Sequence, residues 1–185
     1  MISINDLILV PLYLFIIFGI ARLIKSKNIK KHPEYRYFIK GIWFKLIGVS
    51  FFIIIYLFYY KGGDTITYFR GASDLGELIL SDSEKGLAIL FNTDSYYNSY
   101  SSFNYQTGFP AHSYFSNKNT FIVCRISAIF YLLSSKSFVI TSLLTSVFSY
   151  IGIWKFYRLL NLLYPKRQKA FAYLILYMPS LIFWG

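Results

Sequence analysis

The chain has 185 residues, 56% of them hydrophobic and 22% aromatic against 15% charged, with a mean hydropathy of +0.47. One soluble core of this size cannot enclose that much apolar surface, so the composition points to a lipid bilayer as solvent. The formal charge of +11 does not call for a nucleic-acid partner, because the basic residues cluster beside apolar runs instead of interleaving along a polar helix. A lone cysteine, Cys124, allows neither an internal disulfide nor a thiolate metal cluster.

A membrane-crossing helix needs about 20 apolar residues. Residues 7–24 meet that length, with Pro11 in the first turn and Arg22 near the far end, where its side chain can reach the interface. Basic residues follow this stretch and no small-residue cleavage site appears, which argues against a signal peptide. Residues 41–60 form the second expected span, opened by Trp43 and Lys45 and closed by the aromatic belt of Tyr56, Tyr59 and Tyr60.

A long loop follows, in two parts. Residues 64–80 read as an amphipathic helix, with Ile66, Phe69, Leu75 and Ile79 on one face and Thr67, Arg70, Asp74 and Glu77 on the other. Gly71 and Gly76 weaken its expected continuity. Residues 92–119 are rich in Ser, Asn and Tyr and carry Tyr96, Tyr97, Tyr100, Phe103, Tyr105, Phe109, Tyr114 and Phe115. That aromatic load suits packing over a membrane surface or stacking on a ligand.

Residues 120–133 are apolar but only 14 long, with Arg125 in their middle. Residues 137–154 are the third expected span, with Ser142, Thr145, Ser146 and Ser149 on one face for close helix packing. Residues 170–184 begin a fourth, only 15 residues long, from which the chain is expected to be the N-terminal part of a larger protein.

Charge sets the expected topology. Residues 22–45 hold eight Lys and Arg and residues 155–169 hold five, while 61–119 hold four against six acids. The positive-inside rule puts 25–40 and 155–169 in the cytoplasm and the loop outside. The span at 137–154 then crosses, and 120–133 lies in the outer interface or is re-entrant. The expected fold is an all-α polytopic membrane protein of about four transmembrane helices, its amino terminus outside. Two short interfacial helices occupy the outer loop. Residues 1–60 and 137–185 contain the spans, and 61–136 form the extracytoplasmic part.

The chain carries no Walker loop, Rossmann glycine fingerprint, HExxH or nucleophile elbow. His32 and His112 are expected on opposite sides of the membrane and so form no metal pair. Asp64 stands out, because it follows Lys61-Gly62-Gly63 where a span emerges, at the depth of a lipid-linked head group. The competing reading makes Asp64 a helix N-cap and Gly62-Gly63 only a turn.

The sequence Gly63-Asp64-Thr65, with Tyr68 and Ala72, resembles the acidic site of the GT-C superfamily of membrane glycosyltransferases. So does the order of elements: a span, an amphipathic helix, a long outer loop, a second short helix and a Ser/Thr-bearing span. The closing Met178-Pro179-Ser180-Leu181-Ile182-Phe183-Trp184-Gly185 is similar to a span start in many such bacterial membrane proteins. The resemblance covers about residues 41–185 and departs in two places. An extra span precedes the acid, and Thr65 stands where a paired motif has its second acid, which leaves a divalent metal open as a cofactor.

The resemblance implies an enzyme of the inner (cytoplasmic) membrane that moves a sugar from a polyprenyl-phosphate donor to a glycan, lipid or protein acceptor. Asp64 would be its catalytic carboxylate, and Tyr68, Arg70 and Arg125 would bind substrate, the arginines near the donor phosphate. For Arg125 the alternative is snorkelling, or pairing with Asp74 or Glu77. Two other functions compete: a polysaccharide polymerase or O-antigen-type ligase, and a transporter or non-catalytic scaffold. A transporter should show intramembrane charges or broken helices in paired halves.

Overall fold

The computed structural model describes residues 4–93 and 96–184, without the side chains of 96–98 and 184, so the contacts expected of Tyr96 and Tyr97 lie outside the described residues. Among these residues there are helices and turns and no strand. In chain order the helices are α1 (Asp6–Asn28), α2 (Phe38–Ile54), α3 (Asp64–Ser81), α4 (Ser83–Leu90), α5 (Tyr96–Ser101), α6 (His112–Phe115), α7 (Lys118–Leu133), α8 (Phe138–Leu163), α9 (Gln168–Phe171) and α10 (Pro179–Trp184). The chain divides into two compact units, Met1–Ile55 with Ser142–Gly185, and Tyr56–Thr141.

Three helical runs are long and apolar enough to cross a membrane: Asp6–Asn28, Pro33–Tyr60 and Phe138–Leu163. The second joins a 3₁₀ turn at Pro33–Tyr37, α2, and a π-helical stretch at Ile55–Tyr60. It therefore starts well before the expected residue 41. Lys45 does not open the span; it lies inside α2 with 3% of its surface exposed and donates from Nζ to the Leu181 carbonyl at 3.2 Å.

The helix that carries the third expected span runs on past residue 154. Lys155 and Arg158 do not stop α8, because Arg158 Nε meets the buried Glu34 carboxylate at 3.3 Å. The helix ends at Leu163, before Tyr164-Pro165, where the proline disfavours helical geometry at the preceding residue.

The fourth expected span, 170–184, is not one helix. After α9 comes a π-helical stretch at Ala172–Leu176, then a break at Tyr177 and Met178, then α10. Pro179 accounts for the break, since it carries no N–H and pushes Met178 out of helical geometry.

The first unit is built on α2. Trp43 stacks on Phe18 of α1 at 4.4 Å, and Tyr150 of α8 donates to the Phe38 carbonyl at 2.8 Å. That ring lies over Gly41, where a Cβ would collide with it, so the absent side chain lets α8 approach. Gly48 admits Ile182 in the same way. The outward residues of α1, among them Leu7, Ile8 and Phe15, are apolar and exposed, as lipid-facing positions should be.

The second unit is organised by α3 and α7. The amphipathic periodicity of 64–80 is realised as one unbroken helix, and Gly71 and Gly76 do not interrupt it. They are its contact points, since a Cβ on Gly71 would come within 2.9 Å of the Cys124 sulfur and one on Gly76 would overlap the Tyr131 ring. The two pairs ascend together, so α3 and α7 cross in the same sense. Ala72, Leu75 and Leu78 of α3 pack with Phe121, Cys124 and Ala128 of α7, and Ile89, Phe103 and Phe115 close the cluster. Each large side chain buried there is worth about 1.5–3 kcal/mol. Polar contacts pin the crossing: the Tyr131 hydroxyl and Lys136 Nζ each donate to Glu77 at 2.6 Å. Burial alone would raise the Glu77 carboxyl, but these two partners outweigh it and hold it below its ordinary range.

Candidate functional site around Asp64

The corner between the second span and α3 depends on glycine. Gly63 has φ +103 and ψ −177, a conformation open almost only to glycine, and a Cβ there would lie 3.1 Å from the Tyr56 ring. Its carbonyl accepts from the backbone N–H groups of Ile66 and Thr67, both at 3.1 Å, which starts the helix. Gly63 is thus the N-cap residue and Asp64 the first residue of α3. The Asp64 side chain caps nothing, so the capping role is not the one it plays in this geometry. A carboxylate in the first turn is still favoured by the helix dipole.

What the Asp64 carboxylate does accept is a hydrogen bond from the Tyr114 hydroxyl at 2.6 Å, across fifty positions of sequence. The bond raises the Tyr114 phenol above its ordinary value, so it stays protonated and donating near neutral pH. Tyr68 follows Asp64 by one helical turn, and its ring meets that of Tyr114 edge-on at 5.2 Å. Burial, and then the Asp64 charge, push the Tyr68 phenol up as well. The result is an exposed carboxylate bordered by two aromatic rings.

The loop carrying Tyr114 is fastened by its own contacts. Asn104 Oδ1 accepts from the N–H groups of Gln106 and Thr107 at 2.8 and 3.1 Å, forming a tight turn. Gly108, at φ +82, brings its backbone against the Asp74 carboxylate, leaving no room for a Cβ. The Tyr100 ring packs against Phe115 at 5.2 Å and His112 at 5.4 Å, and Phe115 against Phe121 at 4.6 Å. Tyr100, Phe103, Tyr114 and Phe115 therefore pack with α3 and α7, whereas Tyr105 and Phe109 meet each other and stay exposed.

The four expected site residues divide into two groups. Asp64 and Tyr68 share the start of α3. Arg70 is exposed and acts on Asp74, one turn further on, where its charge partly offsets the burial that raises that carboxyl to about 6. Arg125 pairs with neither Asp74 nor Glu77: Nη2 donates to Asn92 Oδ1 at 2.8 Å, and its guanidinium lies 5.4 Å from the Phe121 ring centre. Glu77 is already taken by Lys136 and Tyr131. Among the described residues no hydrogen bond or ion pair joins either arginine to Asp64.

Tyr114 is the site residue that sequence reading did not single out. It appeared there only as one of eight aromatics, and no local pattern ties it to a residue fifty positions away. Thr65 offers no second carboxylate beside Asp64, and among the described residues no three His, Cys, Asp or Glu side chains gather in metal-holding geometry. The described donors around Asp64, one carboxylate and two phenols, do not fit a divalent ion. The chain matches no protein-family model, no curated protein and no solved structure.

Proposed function

We infer that the chain carries the Asp64 site of a membrane glycosyltransferase of GT-C type, acting with a lipid-phosphate sugar at the outer face of the membrane. The observation that carries this reading is the exposed Asp64 carboxylate, free of any capping duty and flanked by Tyr68 and Tyr114 at the mouth of an apolar helix. Aromatic faces bind the apolar faces of sugar rings, and a carboxylate can orient the acceptor hydroxyl and take its proton as the bond forms. Tyr114 would orient the carboxylate through its hydroxyl until the acceptor hydroxyl takes that place. Arg70 and Arg125 remain candidates for the donor phosphate, one exposed and one with donors beyond those that the described bond to Asn92 uses. In this reading 25–40 and 155–169 are cytoplasmic and 61–136 lies outside.

The test is glycan transfer in membranes carrying the protein. Asp64→Asn is expected to lower the rate by about 10²-fold or more at unchanged expression. Near-normal transfer by a folded Asp64→Asn variant would remove the site. A transporter is the second reading, favoured by Lys45 buried inside α2 and by the break before Pro179. It forecasts the reverse ordering, with Lys45→Met abolishing function and Asp64→Asn sparing it.

A further inference from the structure

Twelve of the nineteen Lys and Arg residues fall in two windows, seven in 22–40 and five in 155–169, and those windows contain a single acid, Glu34. The first unit brings the windows together. Arg158 Nε reaches Glu34 at 3.3 Å, its guanidinium lies 5.4 Å from the Tyr35 ring, and the Tyr37 and Tyr157 rings meet at 6.3 Å. Glu34 is thereby buried and already engaged, by Arg158 and by His32 at 3.6 Å, so it offers little relief to the surrounding positive charge. Beside this end of α8 the 3₁₀ turn Pro165–Arg167 and the start of α9 form an open cleft of about 560 Å³, lined by Lys166, Arg167, Lys169, Ala170 and Tyr173.

We propose that this cleft binds the phosphate of an anionic phospholipid, with the acyl chains running along the apolar side chains next to it. Two features select a lipid over a nucleic acid or an acidic protein. The cleft opens three residues after a membrane-length apolar helix ends, so its cations lie where head-group phosphates lie. The neighbouring side chains Leu162 (74% exposed), Leu163 (62%) and Leu174 (59%) are apolar and uncovered, a surface that matches hydrocarbon and not a polar chain. Arg167 supplies paired donors to phosphate oxygens, Lys166 and Lys169 supply point charges, and Tyr173 lies at the cleft wall where an aromatic ring suits the interface.

The experiment uses the full chain, purified in a neutral detergent, delipidated, and titrated with phosphatidylglycerol, phosphatidylcholine or inorganic phosphate while bound lipid is counted by native mass spectrometry. Phosphatidylglycerol is expected to bind at least tenfold tighter than phosphatidylcholine, and inorganic phosphate at equal concentration should not displace it. Each cation near a lipid surface contributes about a fivefold factor, so the triple variant Lys166→Ser, Arg167→Ser, Lys169→Ser should bind roughly a hundredfold more weakly. A charge-matched control, Lys25→Ser, Lys27→Ser, Lys30→Ser, should lose less than fivefold. If the triple variant does not fold, Lys169→Gln alone should lose about fivefold. Equal binding of the two lipids, full displacement by phosphate, or equal losses in the two triple variants would each overturn the proposal. None of these readouts depends on glycan transfer.

Discussion

Asp74 offers a measurable link between burial and stability. It sits on α3 beneath Gly108, with Arg70 one turn away and Cys124 and Tyr131 within electrostatic reach on α7. Burial raises its carboxyl from 3.8 to about 6, against the pull of Arg70. A folded-state value above the unfolded one means that the fold prefers the protonated acid. The favourable contribution is fully present below about pH 4 and is lost as pH rises through about 6. A shift of about two units equals roughly 3 kcal/mol, and because Asp74 is only half-buried, solvent screening reduces this to about 1 kcal/mol. Asp74→Asn removes the titration while keeping the shape, so the variant should be about 1 kcal/mol more stable than the parent at pH 7.5 and nearly equal to it at about pH 3.5. Cys124 provides a local probe: it is the only cysteine, it is buried between α3 and α7, and burial pushes its thiol up to about 12, so it reacts with a maleimide dye only when the helices part. Thermal melts followed by circular dichroism at the two pH values give the comparison, and the dye confirms at pH 7.5 that α3 and α7 part in the same transition. A variant less stable at pH 7.5, or one that keeps the parent's full pH dependence, would refute the reasoning.

Gly76→Val should force the Tyr131 ring out of its place between α3 and α7, costing about 1–3 kcal/mol and exposing Cys124 at lower temperature in the same assay. Single cysteines Lys27→Cys, Ser83→Cys and Lys166→Cys in a Cys124→Ser background test the topology with a membrane-impermeant thiol reagent. In intact cells Ser83→Cys should label and the other two should not; labelling of Lys166→Cys without Ser83→Cys would invert the assignment.

The parts of the fold that local pattern controls were legible in the sequence, and those that distant packing controls were not. The start of α3 was readable because Gly63 marks the corner and the 3–4 spacing of Ile66, Phe69, Leu75 and Ile79 fixes the apolar face. Gly71 and Gly76 were read through helix propensity as weak points. Their effect depends on a partner helix some fifty residues away, where a missing Cβ lets Cys124 and Tyr131 approach. The continuation of α8 past residue 154 was not legible in hydropathy, and only the buried partner Glu34 shows why the helix carries Arg158 onward. At 170–184 the signal was present in the sequence, for Pro179 predicts a break at the residue before it. Hydropathy masked that signal.

The site shows the same division, and it sharpens the main test. Asp64 and Tyr68 could be paired from the sequence because they share one helix. Tyr114 could not, because its contact with Asp64 is made by the folding of a loop. That contact changes what Asp64→Asn means. Had Asp64 been the helix cap, asparagine would have replaced it at a cost of a few tenths of a kcal/mol, and a tolerated change would have left it a cap and no more. With Gly63 as the cap residue, the structural part of Asp64 is its acceptance of the Tyr114 hydroxyl, which an amide oxygen also provides. Asp64→Asn therefore retains the helix start and the loop contact, and it removes the negative charge and the basic oxygen. A large loss of transfer with unchanged Cys124 protection then belongs to the chemistry of the carboxylate, and a small loss limits Asp64 to holding the loop.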